Sequence, residues 1–356
     1  MRRITMKAAV LTGVKKIELQ EKDLTPLRPN EVLVKVKAVG VCGSDIAYYQ
    51  RGQADIPPPI ILGHEFTGEV VELGSMAKDL GTVKVGERVV AEPVQACGVC
   101  QPCKNASPNL CVKPTVLGVN VDGGFAEYCK VQYNYIHPLP RNVSYEEGAF
   151  TEPLACALYG VGKMRIQPGD FCVVVGPGPI GLMMLQYVKA SGAGKVALIG
   201  TRDYRLKLGG KLGADYLLNT RERGSKYFAE NPVEKVKEWS GGGADAVIVA
   251  TGNIEANELG IAVAGAKSRV VFFGGAGYGP EEQAKINLWQ GTLRDMEIHY
   301  SWLSPYTFPK AIKAISRGLV KVKPLITHTF NLNKTGEAIE TVEQRKGNPL
   351  KVQVKP

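Results

Sequence analysis

The sequence predicts an α/β protein of two domains, one β-rich and the other built on a doubly wound parallel sheet. Three observations carry that prediction. The 356 residues exceed what one hydrophobic core usually organises. Residues 31–41 (EVLVKVKAVGV) alternate apolar and polar side chains, the period of a half-buried strand. Residues 171–175 (FCVVV) are instead a short unbroken apolar run, as in a strand covered on both faces, and similar runs then alternate with helical stretches.

In the β-rich part, residues 69–73 and 87–91 repeat the strand pattern, each bounded by glycine. After residue 170 the rhythm changes. A helix is expected over 180–191, a strand over 195–199, a helix over 205–212, and strands over 245–250 and 268–273. Towards the C-terminus, 328–332 reads as a strand and 335–343 as a helix starting from a Thr335 cap. The expected layout is one domain from residues 1–155 and 290–356 and a second from 156–289, with a ligand in the cleft between them.

Hydrophobic residues at 44% and charged residues at 22% are ordinary for a soluble globular chain. No apolar run approaches the roughly 20 residues that span a bilayer. The basic start over residues 1–7 has no apolar signal segment behind it, so the cytoplasm is the expected location, with no membrane partner. The net charge of +10 raises nucleic acid as a partner. Lys and Arg are dispersed, however, with no dense basic run and no basic–aromatic alternation, which argues against it. A dispersed positive surface instead favours small anionic ligands.

One such ligand has a motif. Gly176-Pro177-Gly178-Pro179-Ile180-Gly181 is a G-x-G-x-x-G lying directly between the run FCVVV and a helical stretch. The first glycine permits a tight turn, the second lets the backbone approach a pyrophosphate, and the third lets helix and strand pack closely. The diphosphate of a dinucleotide would rest on the helix N-terminus, where free amides and the helix dipole favour negative charge. The bland alternative is a strand-to-helix turn with no ligand.

NAD enzymes place Asp or Glu at the end of the following strand to bind the adenosine ribose. Here VALI is followed by Gly200-Thr201-Arg202, and Asp203 comes late. Thr201 and Arg202 suit a 2′-phosphate, with Arg205 in support, so NADP is preferred over NAD. The alternative is a solvated Arg202, with Asp203 taking the ribose after a small shift.

Eight cysteines are present, and Cys97, Cys100, Cys103 and Cys111 crowd within fifteen residues. In a reducing compartment such crowding reads as metal ligation, and four thiolates close a tetrahedral zinc site with no open position. A second, dispersed set comprises Cys42, His64, and the carboxylates Glu65 and Glu152. One thiolate, one imidazole and one carboxylate would leave a fourth position open on a zinc ion. Taken singly, His64 and Cys42 would more often be satisfied core residues.

The motifs GVCGSD (40–45), GHE (63–65), the four-cysteine lobe, DGGFAEY (122–128), TEPLAC (151–156) and GPGPIG (176–181) follow in order. Together they resemble the zinc-containing medium-chain dehydrogenase/reductase family over essentially the whole chain. TEPLAC is similar to the sorbitol and polyol dehydrogenase branch, and Gly200-Thr201-Arg202 resembles the strand end of NADP-dependent secondary-alcohol dehydrogenases. The resemblance implies a GroES-like catalytic domain, a Rossmann domain, two zinc ions per chain, and a homotetramer or homodimer.

It further implies Cys42 and His64 as catalytic-zinc ligands, with Glu65 and Glu152 as carboxylates at the metal. Asp45 would orient His64, and Ser44 would open the proton relay. Polyol dehydrogenases often carry a His three residues after this Ser, whereas this chain has Ala47, which leaves the later proton path unassigned. The expected reaction is hydride transfer between a secondary alcohol or polyol and NADP. The alternatives are an NAD-dependent L-threonine or amino-alcohol dehydrogenase and a non-catalytic nucleotide-binding regulatory protein.

Overall fold

The computed structural model describes residues 5–52, 58–274 and 283–356. The chain divides into two compact units. One comprises residues up to Pro153 together with Phe308–Arg317 and Val322–Pro356; the other comprises Leu154–Thr307 and Gly318–Lys321.

In the first unit a seven-stranded sheet is centred on Glu31–Gly40, which pairs with Glu65–Leu73, Tyr128–Gln132 and the C-terminal Lys351–Lys355. A three-stranded sheet holds Thr5–Gly13 between Lys16–Asp23 and Ile60–Ile61. The alternation in Glu31–Gly40 predicts one buried face, yet Leu33 and Ala38 are buried along with Val32, Val34, Val36 and Val39. Two register shifts against Glu65–Leu73 and the central place in the sheet bring both faces under cover, so strict alternation is lost. Strand Glu65–Leu73 starts four residues earlier than the pattern suggests, because Glu65 to Gly68 pair with Gly40 to Val36.

In the second unit six parallel strands run in the order Tyr216–Asn219, Lys195–Gly200, Phe171–Val175, Ala244–Val249, Ala264–Phe272 and Glu297–Tyr300. This is the doubly wound order, and every residue of Phe171–Val175 is buried. The chain reverses direction along the sheet beside that strand, where α/β sheets of this order bind ligands.

Two expectations need correction. The second domain does not end at residue 289, because Glu297–Tyr300 adds a sixth parallel strand and the return to the first unit comes at Phe308. Thr335 does not cap helix Thr335–Glu343: Lys334 is the N-cap, and the Thr335 hydroxyl instead donates to the Leu332 carbonyl at 2.7 Å.

Candidate active site

The close part of the dispersed ligand set is assembled by two neighbouring segments of the first unit. Cys42 ends the turn after Glu31–Gly40 and is the N-cap of helix Gly43–Arg51. His64 and Glu65 lie at the start of Glu65–Leu73, beside Gly40 in register. Ligand atoms of Cys42, His64 and Glu65 all lie within 4.8 Å of one another.

Fully buried Asp45 ties these segments together. Its carboxylate accepts the Cys42 amide at 2.8 Å and the Gly63 amide at 3.3 Å, and stands 3.7 Å from His64 Nδ1. Burial pushes the Asp45 carboxyl up, against the pull of His64 and the Cys42 amide. Burial alone would lower His64, but Cys42 and Asp45, with Glu152 contributing, raise it well above its ordinary value. The pocket therefore favours positive charge where the three donors converge, and buried His64 Nδ1 has no hydrogen-bond partner. A thiolate, an imidazole and a carboxylate in such a field fit a zinc ion.

Glu152 is buried in the first turn of helix Thr151–Lys163. It is not in the close three-residue group, but its charge is felt by both His64 and Lys351. Ser44 is half-buried in the first turn of the helix that Cys42 caps.

Lys351, which the sequence reading missed, arrives from the C-terminal strand. Its ammonium pairs with the Glu65 carboxylate and donates to the Val41 carbonyl at 3.0 Å. Gly40 is what makes room, since a Cβ there would stand 2.1 Å from Glu65 Oε2 and 2.8 Å from Lys351 Cε. A lone lysine in a tail strand gives no sequence signal of this kind, because the partner is set by strand pairing across the whole chain.

The four-cysteine lobe also closes. The four sulfurs lie within 4.8 Å of one another, with Cys100 and Cys103 3.4 Å apart. Backbone amides aim at the sulfurs: those of Cys103 and Val112 bring Cys100 down to about 6, and those of Val99 and Cys100 lower Cys97. Desolvation drives Cys103 up to about 12. Four sulfurs in a ring of amides fit a closed tetrahedral site.

In the second unit Gly176 turns with φ of +100°, and a Cβ on Gly181 would sit 1.9 Å from the Gly176 carbonyl oxygen. Gly178 is the N-cap of helix Pro179–Ala190, has no side-chain cap, and opens onto free space. Pro179 and Ile180 open the helix, and no side chain caps its first-turn amides, a helix start of the kind that suits an anion. Gly200 has a reason of its own to be glycine: a Cβ there would meet Pro177 Cγ at 2.4 Å.

Beyond Gly200, Thr201 and Arg202 lie at the strand end, and Arg202 is the N-cap of helix Asp203–Lys211, two residues earlier than expected. Arg205 Nε donates to the Tyr204 hydroxyl at 2.8 Å.

Two family models match, the alcohol dehydrogenase GroES-like domain over residues 28–141 and zinc-binding dehydrogenase over residues 179–317. Sorbitol dehydrogenase of Bacillus subtilis is 34% identical, with 99% of this chain and 97% of that protein covered. The chain belongs to the zinc-containing medium-chain alcohol and sorbitol dehydrogenases. Two solved structures, each 29% identical, bracket the cofactor question for this dehydrogenase. A Sinorhizobium meliloti 1021 protein described as a zinc-binding dehydrogenase, bound to NADP, superposes with a TM-score of 0.89 over 99% of this chain and 100% of that one. An Escherichia coli CFT073 alcohol dehydrogenase complexed with NADH superposes with a TM-score of 0.87 over 99% of both chains. Zinc and a nicotinamide dinucleotide are thus the dehydrogenase's cofactors, and the choice between NAD and NADP falls to its own residues. No helix among the described residues is long and apolar enough to cross a membrane.

Proposed function

We propose that this dehydrogenase oxidises a secondary alcohol or polyol with NADP. The observation that carries the reading is the convergence of half-buried Cys42 with buried His64 and Glu65, in a chain that also carries an open glycine-loop helix N-terminus. Cys42 and His64 would hold the catalytic zinc with Glu65 as the nearest carboxylate, and Glu152 adds negative charge from the adjoining helix. Zinc would supply Lewis acidity toward an alcohol oxygen, and the nicotinamide ring a two-electron acceptor. Asp45 fixes the loops that carry Cys42 and His64 through its two backbone hydrogen bonds. Ser44 Oγ takes the hydroxyl proton, and Ala47 cannot pass it further, so the onward path runs through other groups.

Cys97, Cys100, Cys103 and Cys111 would hold the second zinc and pin their loop. Gly176, Gly178, Pro179, Ile180 and Gly181 would cradle the pyrophosphate, with Thr201, Arg202 and Arg205 toward the 2′-phosphate. Reduced thiols in metal-ligating array suit the cytoplasm. Self-association as a dimer or tetramer is supported by the outer edge of Glu297–Tyr300, which pairs with no further strand among the described residues, and by exposed Trp289, Tyr300, Trp302 and Tyr306 near it in sequence.

The test is metal analysis joined to initial rates. Two zinc ions per chain, with activity toward polyols or secondary alcohols that a chelator abolishes, is the expected result. One zinc ion per chain and no activity would return the chain to a nucleotide-binding regulatory role.

A further inference from the structure

The first carboxylate after strand Lys195–Gly200 is Asp203, at the first position of its helix. Its surroundings leave it little freedom. Oδ1 of Asp203 accepts from Ser225 Oγ at 2.6 Å and from Asn219 Nδ2 at 2.7 Å. The same Asn219 Nδ2 donates to Glu222 Oε2 at 3.0 Å, and that oxygen also accepts the Asp203 amide at 3.3 Å.

Asn219 cannot turn over to release this arrangement. Its Oδ1 accepts the backbone amides of Arg221 and Glu222 at 2.9 and 3.0 Å, and the residue is fully buried. It ends strand Tyr216–Asn219 and stands in register with Gly200, so the network lies directly beside the cofactor-reading strand end. The Ser225 hydroxyl, helped by the Asn219 amide, holds the Asp203 carboxyl below its ordinary range in spite of the opposing effect of desolvation.

A carboxylate that reads an adenosine ribose must offer its oxygens to the sugar hydroxyls. Here one oxygen is saturated by two short hydrogen bonds from groups that are themselves fixed. We propose that Asn219 and Ser225 are positioning residues for cofactor selection: they lock Asp203 onto the neighbouring strand end and away from the ribose, which leaves Thr201 and Arg202 to read the 2′-position. The inference rests on the NADP reading above and deepens it. It explains how a chain with an acidic residue only three positions past the strand end is kept from using it for NAD.

The experiment is equilibrium titration of the full-length zinc-loaded protein with NADP and with NAD, read by calorimetry. Asn219→Asp combined with Ser225→Ala keeps the acceptor for the two backbone amides but removes both donors to Asp203 and repels it. The expected result is NAD binding tighter by about tenfold, the scale of one hydrogen bond to a charged group. Adding Asp203→Asn to that pair should erase the gain, which an effect of general loosening would not do. Asp203→Asn alone, which preserves the Asn219 and Ser225 contacts, should leave NAD binding as in the wild type.

A wild type that prefers NADP, with a double variant unaltered toward NAD, overturns the lock and leaves the NADP reading standing. Weaker NAD binding in Asp203→Asn alone also overturns the lock, since the carboxylate would then already reach the ribose. A wild type that prefers NAD overturns both.

Discussion

Replacing Lys351 with Met should be among the most damaging single changes in the first unit. Glu65 and Lys351 retain 1% and 6% of their side-chain exposure, and Gly40 packs against both without room for a methyl group. Both side chains are almost fully excluded from solvent, so removing one member strands a buried charge, which costs about 3–5 kcal/mol. For a domain of this size that corresponds to a melting point lower by roughly 6–20 °C. Burial pulls Lys351 down, but Glu65 and then Cys42 override it and raise the ammonium above its ordinary 10.5. A folded value above the unfolded one means the contribution is whole below 10.5 and lost as pH rises through the folded value. The gap between wild type and variant should therefore stay constant from about pH 6 to about pH 9.

The assay is denaturant unfolding with a chelator present, so that metal affinity does not enter. Lys351→Met paired with Glu65→Gln removes both charges and should recover most of the loss, giving a coupling energy above about 2 kcal/mol. A single-variant loss below about 1 kcal/mol, with no coupling, would mean the pair behaves like a surface ion pair and would refute the reasoning.

Two contrasts test the other sites. Gly181→Ala forces a Cβ against a backbone oxygen and should destabilise the second unit by about 1–3 kcal/mol. Gly178→Ala meets only open space, so its melting point should match the wild type while dinucleotide affinity drops in a calorimetric titration. Loss of neither property in Gly178→Ala would mean the helix N-terminus is not the pyrophosphate seat. With metal removed at pH 7, Cys100, at about 6, should be alkylated well before Cys103, at about 12, when peptides are followed by mass spectrometry. With zinc bound, both should be protected.

The sequence made legible whatever is written locally. The glycine loop, the four-cysteine run and the buried strand Phe171–Val175 each announce themselves within a few residues, and the structure has them where the pattern puts them. Cys42 and His64 were legible only through ordered motifs, since nothing local says that a cysteine after one strand meets a histidine before the next. What stayed hidden depends on strand pairing at long range. Lys351 lies some 286 residues from Glu65, and only the placement of Lys351–Lys355 beside Glu31–Gly40 joins them. The lock on Asp203 likewise comes from the next strand end, where Asn219 faces Gly200. The domain return was misplaced because a four-residue strand, Glu297–Tyr300, is too short and too polar to announce itself.

The most direct test of the central claim is the initial rate of reduced-cofactor formation with NADP and NAD in parallel, over polyols, simple secondary alcohols and L-threonine. Turnover of a polyol or secondary alcohol with a higher kcat/KM for NADP, abolished by a chelator and restored by zinc, is the expected result. A clear preference for NAD with L-threonine as the best substrate would contradict it.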